Sequence, residues 1–186
     1  MTTKAQLLTI ADWDAIPYDE WHRYEIIEGE LFVSEPPGLR HQIVLGNLVF
    51  AVGTFLRTNR IGTFTFGPGV VLGNHSGVIP DAVYFSNKQR DQIVMNDRLH
   101  GPPDIIVEIL ALGSTDIGRD RIAKFQLYAK HSVREYWIVD PVAMTLEKYV
   151  NQNSSLLLEK VFRSEDALTS AVLPEFSCPM SKIFER

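Results

Sequence analysis

Two carboxylates interrupt otherwise apolar runs, Asp81 in VIPDAVYF and Glu108 in DIIVEIL. An ionised carboxylate in such a run is costly to bury unless a partner compensates its charge. If neighbouring strands carry both side chains to one edge of a sheet, they offer the hard oxygen ligands that Mg²⁺ or Mn²⁺ takes. Lys124 follows in IGRDRIAKFQLYAK, where helical spacing puts Arg121, Lys124 and Tyr128 on one side, flanking a buried stripe of Ile122, Phe125 and Ala129. A metal held by two acids, with a lysine beside it, suits hydrolysis of a phosphodiester. The metal polarises the phosphate and lowers the pKa of water, and the ammonium stabilises developing charge. Plainer roles exist for each residue. Asp81 also suits a turn after Pro80, and Lys124 an exposed helix position paired with Asp120 four residues earlier. Glu108, between Val107 and Ile109, is harder to explain away.

The elements that must position these residues are legible in outline. Thr9 and Asp12 form a helix-start signal for a short N-terminal helix, and YEIIEGELFVSE predicts a hairpin around Glu28-Gly29. From His41 to Leu56, apolar residues recur at helical spacing. Gly62 to Phe85 predicts strands in GTFTFG, GVVLG and VIPDAVYF, together the first half of a sheet. Ser86 to Gly101 has no clear period and is expected to be a loop with at most one helical turn, a candidate flap. DIIVEIL predicts a central strand, Gly113 to Asp116 a turn and helix start, and the helix runs to about Lys130. EYWIVDP predicts a buried strand, TLEKYV and LLLEKVF an antiparallel pair, and the rest a loop and short helix.

Length and composition bound the rest. The 186 residues, 45% hydrophobic, suit one domain spanning 1–186, with no repeat or linker to divide it. A net charge of -5 argues against a protein that coats nucleic acid non-specifically, so contact with a phosphate backbone would need a local patch. Cys178 is the only cysteine, which excludes an intrachain disulfide and a cysteine-rich zinc site. No apolar leader is legible near the N-terminus, and no stretch is expected to approach the ~20 apolar residues of a membrane span. A soluble, cytoplasmic protein is the expectation.

Several blocks together resemble a known family. The run VEIL-ALGSTDIGRDRIAKFQLYAKHSVREYWIVDP, with RYEIIEGEL, the His41-Gln42 helix opening, PDAVYF and the closing LPEF, is similar to the putative restriction endonuclease family of the PD-(D/E)XK nuclease superfamily. The resemblance covers about Tyr24 to Phe184. It implies an α/β (α+β) fold with a restriction-endonuclease-like core, a mixed β-sheet flanked by helices, and here additional N- and C-terminal hairpins. It also implies a Mg²⁺- or Mn²⁺-dependent endonuclease acting on nucleic acid, most naturally DNA, with a homodimer as the partner state. Carried over, the aspartate of the PD pair matches Asp81 and the second acid Glu108, both metal ligands. The superfamily lysine stands two residues after the second acid, where this chain has Leu110. It resembles variants whose lysine has moved to the next helix, which places Lys124 as the third catalytic residue. The usual Ser-Pro-Ser-Thr type turn is replaced by Ala111-Leu112-Gly113-Ser114-Thr115, which lacks the proline. The alternative is a catalytically silent module that keeps the fold for DNA contact or self-association.

Other residues carry weaker signals. His41 could reach a metal or phosphate, but a surface histidine near a helix start is the simpler expectation. Asp104 belongs to a second Pro-Asp pair and shares a strand face with Glu108, ranking below Asp81. Glu28 and Glu30 suit turn and exposed-face positions, and Tyr136 and Trp137 suit the core. Arg119, Arg121, Lys130 and Arg134 form a modest basic cluster near the expected site. Ser114 has no recognisable His-Asp partners and no nucleophile elbow, which argues against acyl transfer.

Overall fold

The computed structural model describes residues 6–111 and 117–185, the side chains of 117–120 excepted. The chain opens with helix α1 (Ile10–Asp14), strands β1 (Arg23–Ile27) and β2 (Glu30–Ser34), and the long helix α2 (Leu39–Asn59). Strands β3 (Gly62–Phe66), β4 (Val70–Val71), β5 (Gly77–Val78) and β6 (Ala82–Ser86) follow, then α3 (Asn87–Ile93), β7 (Val94–Met95), β8 (Arg98–His100) and β9 (Ile105–Ile109). Helix α4 (Ile117–Lys130) leads to β10 (Glu135–Asp140), β11 (Thr145–Gln152), β12 (Ser155–Phe162), β13 (Ala167–Thr169), β14 (Ser177–Pro179) and α5 (Met180–Ile183).

The main sheet has the order β12-β11-β10-β9-β6-β3. Only β9 and β10 run parallel in it. Strand alternation gives this sheet two apolar faces. Ile105, Val107 and Ile109 pack with Trp137 and Val139 against α2 and the C-terminal segment. Ile106 packs with Val83, Phe85, Tyr136 and Ile138 against Leu127 and Tyr128 of α4 and against the second sheet. Glu108 is two residues from Ile106, so the period of two puts it on the α4 side.

That second sheet, of order β2-β1-β5-β4-β8-β7, corrects the expectation of one sheet over Gly62 to Phe85. β3 and β6 join the main sheet while β4 and β5 leave it. The expected flap is instead built structure, with α3 and the β7–β8 pair attached in parallel to β4 through Val70 and Leu99.

Most other elements match their sequence signals. Thr9 caps α1 in a reciprocal box with Asp12. In the β1–β2 hairpin, Glu28 and Gly29 both have positive φ, 50° and 83°, the two-residue turn whose twist suits paired strands. Gly29 has a second reason to be glycine, since a Cβ there would sit 2.6 Å from the Leu7 Cβ. Helix α2 is 21 residues, long and apolar enough by length and composition to cross a membrane, contrary to the expectation from sequence. One face of it, Val44, Leu45, Leu48, Val52 and Leu56, packs into the core. The turn expected over Gly113 to Asp116 lies outside the described residues.

Helix α4 buries Ala129 and packs Phe125 half-buried on the core as expected, but not Ile122. Ile122 is 61% exposed, whereas Lys124, Leu127, Tyr128 and Ala129 are buried. Two of those four are polar, and apolar periodicity alone does not mark Lys124 and Tyr128 as inward residues in place of Ile122.

Candidate active site

β9 lies between β10 and β6, and the last β6 register pair is Ala82 with Val107. One step further, Asp81 arrives beside Glu108, and the Ile109 N–H donates to Asp81 Oδ2 at 2.8 Å. The carboxylate thus accepts from β9 just before β6 begins, and because β6 and β9 are antiparallel both acids sit at the same end of neighbouring strands.

Asp81 is almost wholly buried and has two more partners. His41, from the first turn of α2, reaches Oδ2 through Nε2 at 2.9 Å, and Arg23 Nη1 lies 3.3 Å from Oδ1. A carboxylate needs a donor from the imidazole, so Nε2 carries the hydrogen. His41 Nδ1 is buried without a hydrogen-bond partner among the described residues. Burial by itself pushes the Asp81 pKa up. The His41 hydrogen bond and charge, the Ile109 N–H and the Arg23 charge outweigh it and hold the carboxyl below its usual range.

Glu108 sits in a different environment. Lys124 Nζ lies 3.2 Å from Glu108 Oε1 and 2.9 Å from Glu25 Oε2. One helical turn beyond Lys124, the Tyr128 hydroxyl donates to the same Glu108 Oε1 at 2.8 Å. Glu25 comes from β1, and its other oxygen accepts from the Ile79 N–H at 2.6 Å. Burial pushes the Glu108 pKa up to about 8. Lys124 opposes that shift, while the Asp81 and Glu25 carboxylates add to it. Burial and the neighbouring Glu108 and Glu25 hold the Tyr128 hydroxyl well above its ordinary value.

Two ion-paired sets, Arg23 with Asp81 and Lys124 with Glu25 and Glu108, thus lie near enough for their charges to act on one another. Burial and the nearby Asp81 and Glu25 charges thus raise the Glu108 pKa even with the Lys124 ammonium 3.2 Å away. Among the described residues no three His, Cys, Asp or Glu form a metal-holding group. Two hard carboxylates suit Mg²⁺ or Mn²⁺, which fills the rest of its shell with water and phosphate oxygens, better than a closed zinc cage. The donor chemistry of Asp81 and Glu108 fits such an ion.

Of the three residues singled out in the sequence, Glu108 and Lys124 are in direct contact, while Asp81 is held by His41, Arg23 and the Ile109 N–H next to them. Asp120, the alternative partner of Lys124, has no described side chain. His41 corrects the expectation of a surface residue, since it is buried on Asp81. Asp104 shares the strand face of Glu108 but sits at the opposite end of β9, where it accepts from the Ser86 N–H and pairs with Arg134. The expected basic cluster is spread out and committed, Arg121 to Glu147, Lys130 to Glu28 and Arg134 to Asp104; the Arg119 side chain is not described. Arg23 and Glu25 were missed. Glu25 carried the same signal as Glu108, a carboxylate in the apolar strand RYEII.

The family model Uma2, described as "Putative restriction endonuclease", matches residues 10–181. Among solved structures, the chain is similar to a putative nuclease belonging to DUF820 from Anabaena variabilis, with a TM-score of 0.77 and 19% identity over 95% of this chain and 97% of that one. At that identity the likeness establishes the fold, a mixed sheet flanked by helices in the nuclease manner. No curated protein matches.

Proposed function

The chain belongs to the Uma2 family of putative restriction endonucleases, and from that premise we propose that it is a metal-dependent endonuclease hydrolysing phosphodiester bonds, with DNA as substrate. The observation that supports this reading is Lys124 Nζ 3.2 Å from Glu108 Oε1, with Asp81 one residue beyond the Ala82–Val107 pair and bonded to the Ile109 N–H next to Glu108. Asp81 and Glu108 would hold Mg²⁺ or Mn²⁺, which supplies Lewis-acid activation of the phosphate and of water.

The chain's own residues prepare that chemistry. His41 and the Ile109 N–H fix the Asp81 carboxylate and keep it ionised. The Tyr128 hydroxyl fixes Glu108 from one side. Glu25, anchored on the Ile79 N–H, holds the Lys124 ammonium against Glu108, where it is placed to steady negative charge developing on phosphate oxygens. A homodimer cutting both strands belongs to the same reading. The eight-residue edge strand β12, with Leu157 and Leu158 exposed, offers a surface for it. A cytoplasmic setting, proposed from the lone cysteine, is compatible with both.

One observation favours a second reading, a silent nuclease-fold binding module: the charge is -5, and many of the basic side chains are spent on internal ion pairs. Supercoiled plasmid separates the two. The nuclease reading expects nicked or linear product with Mg²⁺ or Mn²⁺, none with EDTA, and loss of product in Lys124→Ala. DNA retention without cleavage under every metal condition would favour the binding module.

A further inference from the structure

We propose that Arg23 grips a phosphate of the nucleic-acid substrate through the Nε–Nη2 edge of its guanidinium. Arg23 has this role only if the chain acts on nucleic acid as proposed above. It is the first residue of β1, and Nη1 donates to the Ile79 carbonyl at 3.1 Å and to Asp81 Oδ1 at 3.3 Å. Those two bonds tether the head group beside a carboxylate of the site. No hydrogen bond engages Nε or Nη2 among the described residues, so that edge keeps its N–H donors. An Arg edge of parallel N–H groups matches two oxygens of one phosphate, a recognition that lysine's point charge does not reproduce.

Access singles out the same residue. The Arg23 side chain is 28% exposed, against 7% for Lys124, whose ammonium already faces Glu25 and Glu108. Arg121, Lys130 and Arg134 are each committed to a carboxylate elsewhere. The Arg23 guanidinium, like any in a protein, does not lose its proton, so the head group is a permanent cation. A phosphate arriving where three carboxylates cluster meets repulsion, and a fixed cation with open donors at the rim offsets it.

The test is fluorescence anisotropy of a labelled DNA duplex, with Ca²⁺ as the divalent ion, over a series of KCl concentrations. Wild type, Arg23→Gln, Arg23→Lys and, as control, Lys130→Gln would be compared. Arg23→Gln is expected to weaken binding by about tenfold or more. It should also flatten the plot of log affinity against log salt by about 0.9, the loss of one phosphate contact. Arg23→Lys should keep the wild-type slope yet bind severalfold more weakly, and Lys130→Gln should match the wild type. A merely structural Arg23 would leave the salt slope unchanged, and a slope for Arg23→Gln equal to the wild type overturns the proposal. If wild type binds no duplex at any salt, the nucleic-acid reading itself falls and the role of Arg23 with it.

Discussion

Glu108 and Asp81 lie side by side yet titrate in opposite directions, because their hydrogen-bond partners differ. Asp81 collects donors from His41, Ile109 and Arg23, whereas Glu108 is buried beside two other carboxylates. An unfolded chain loses the Glu108 proton near its ordinary value of 4.5, and the folded chain holds it to about pH 8. Stability from this group is therefore full below pH 4.5 and is lost as pH rises through the window up to about 8. Glu108→Gln removes that loss, so its melting temperature should gain on the wild type steadily between pH 5 and pH 8.5. Parallel melting curves across that range would contradict the raised value. Glu25 makes a separate prediction. With Glu25→Gln, Lys124 keeps Glu108 but loses the charged anchor on the other side, so kcat should fall about tenfold with KM little changed. A change confined to KM would mean that Glu25 contacts substrate rather than positions the lysine. At this scale the sequence was readable at Asp81 and Glu108, charges that stand out against apolar neighbours, while Glu25 in RYEII carried the same signal without being singled out. It was opaque at His41, whose burial depends on Asp81, 40 residues away, and at Arg23, whose partners lie 56 and 58 residues away.

Helix α4 shows the same limit for an element. Its apolar residues suggested an inward stripe of Ile122, Phe125 and Ala129, but the face that packs on the main sheet includes Lys124 and Tyr128 because Glu108 waits there. Polar partners on the sheets thus share the buried face of the helix with Phe125, Leu127 and Ala129. Ile122→Lys should change stability by no more than about 0.5 kcal/mol, whereas Leu127→Ala should cost about 2–5 kcal/mol in chemical denaturation. Reversed costs would restore the register expected from the sequence. The β1–β2 hairpin was legible through Glu28-Gly29, and β9 through its apolar run. Strand β4 was legible in GVVLG, though not its place in a second sheet; β5 and β7 were not, since two residues carry no usable period and their pairing is set by the tertiary packing.

For the whole molecule, two sheets converge on one cluster. The main sheet supplies Glu108 on β9, with Asp81 just before β6; the second supplies Arg23 and Glu25 on β1; α2 and α4 supply His41, Lys124 and Tyr128. The site is thus assembled from segments more than 100 residues apart, and the sequence showed its members without showing which would meet. The most direct test of the account is calorimetric titration of Mn²⁺ into wild type, Asp81→Ala, Glu108→Ala and Lys124→Ala. The account predicts one site in the wild type, its loss in both acid variants, and binding retained or tightened in Lys124→Ala, where removing the ammonium leaves Glu25 and Glu108 short of positive charge. No heat in the wild type, or equal binding in Asp81→Ala, would contradict it.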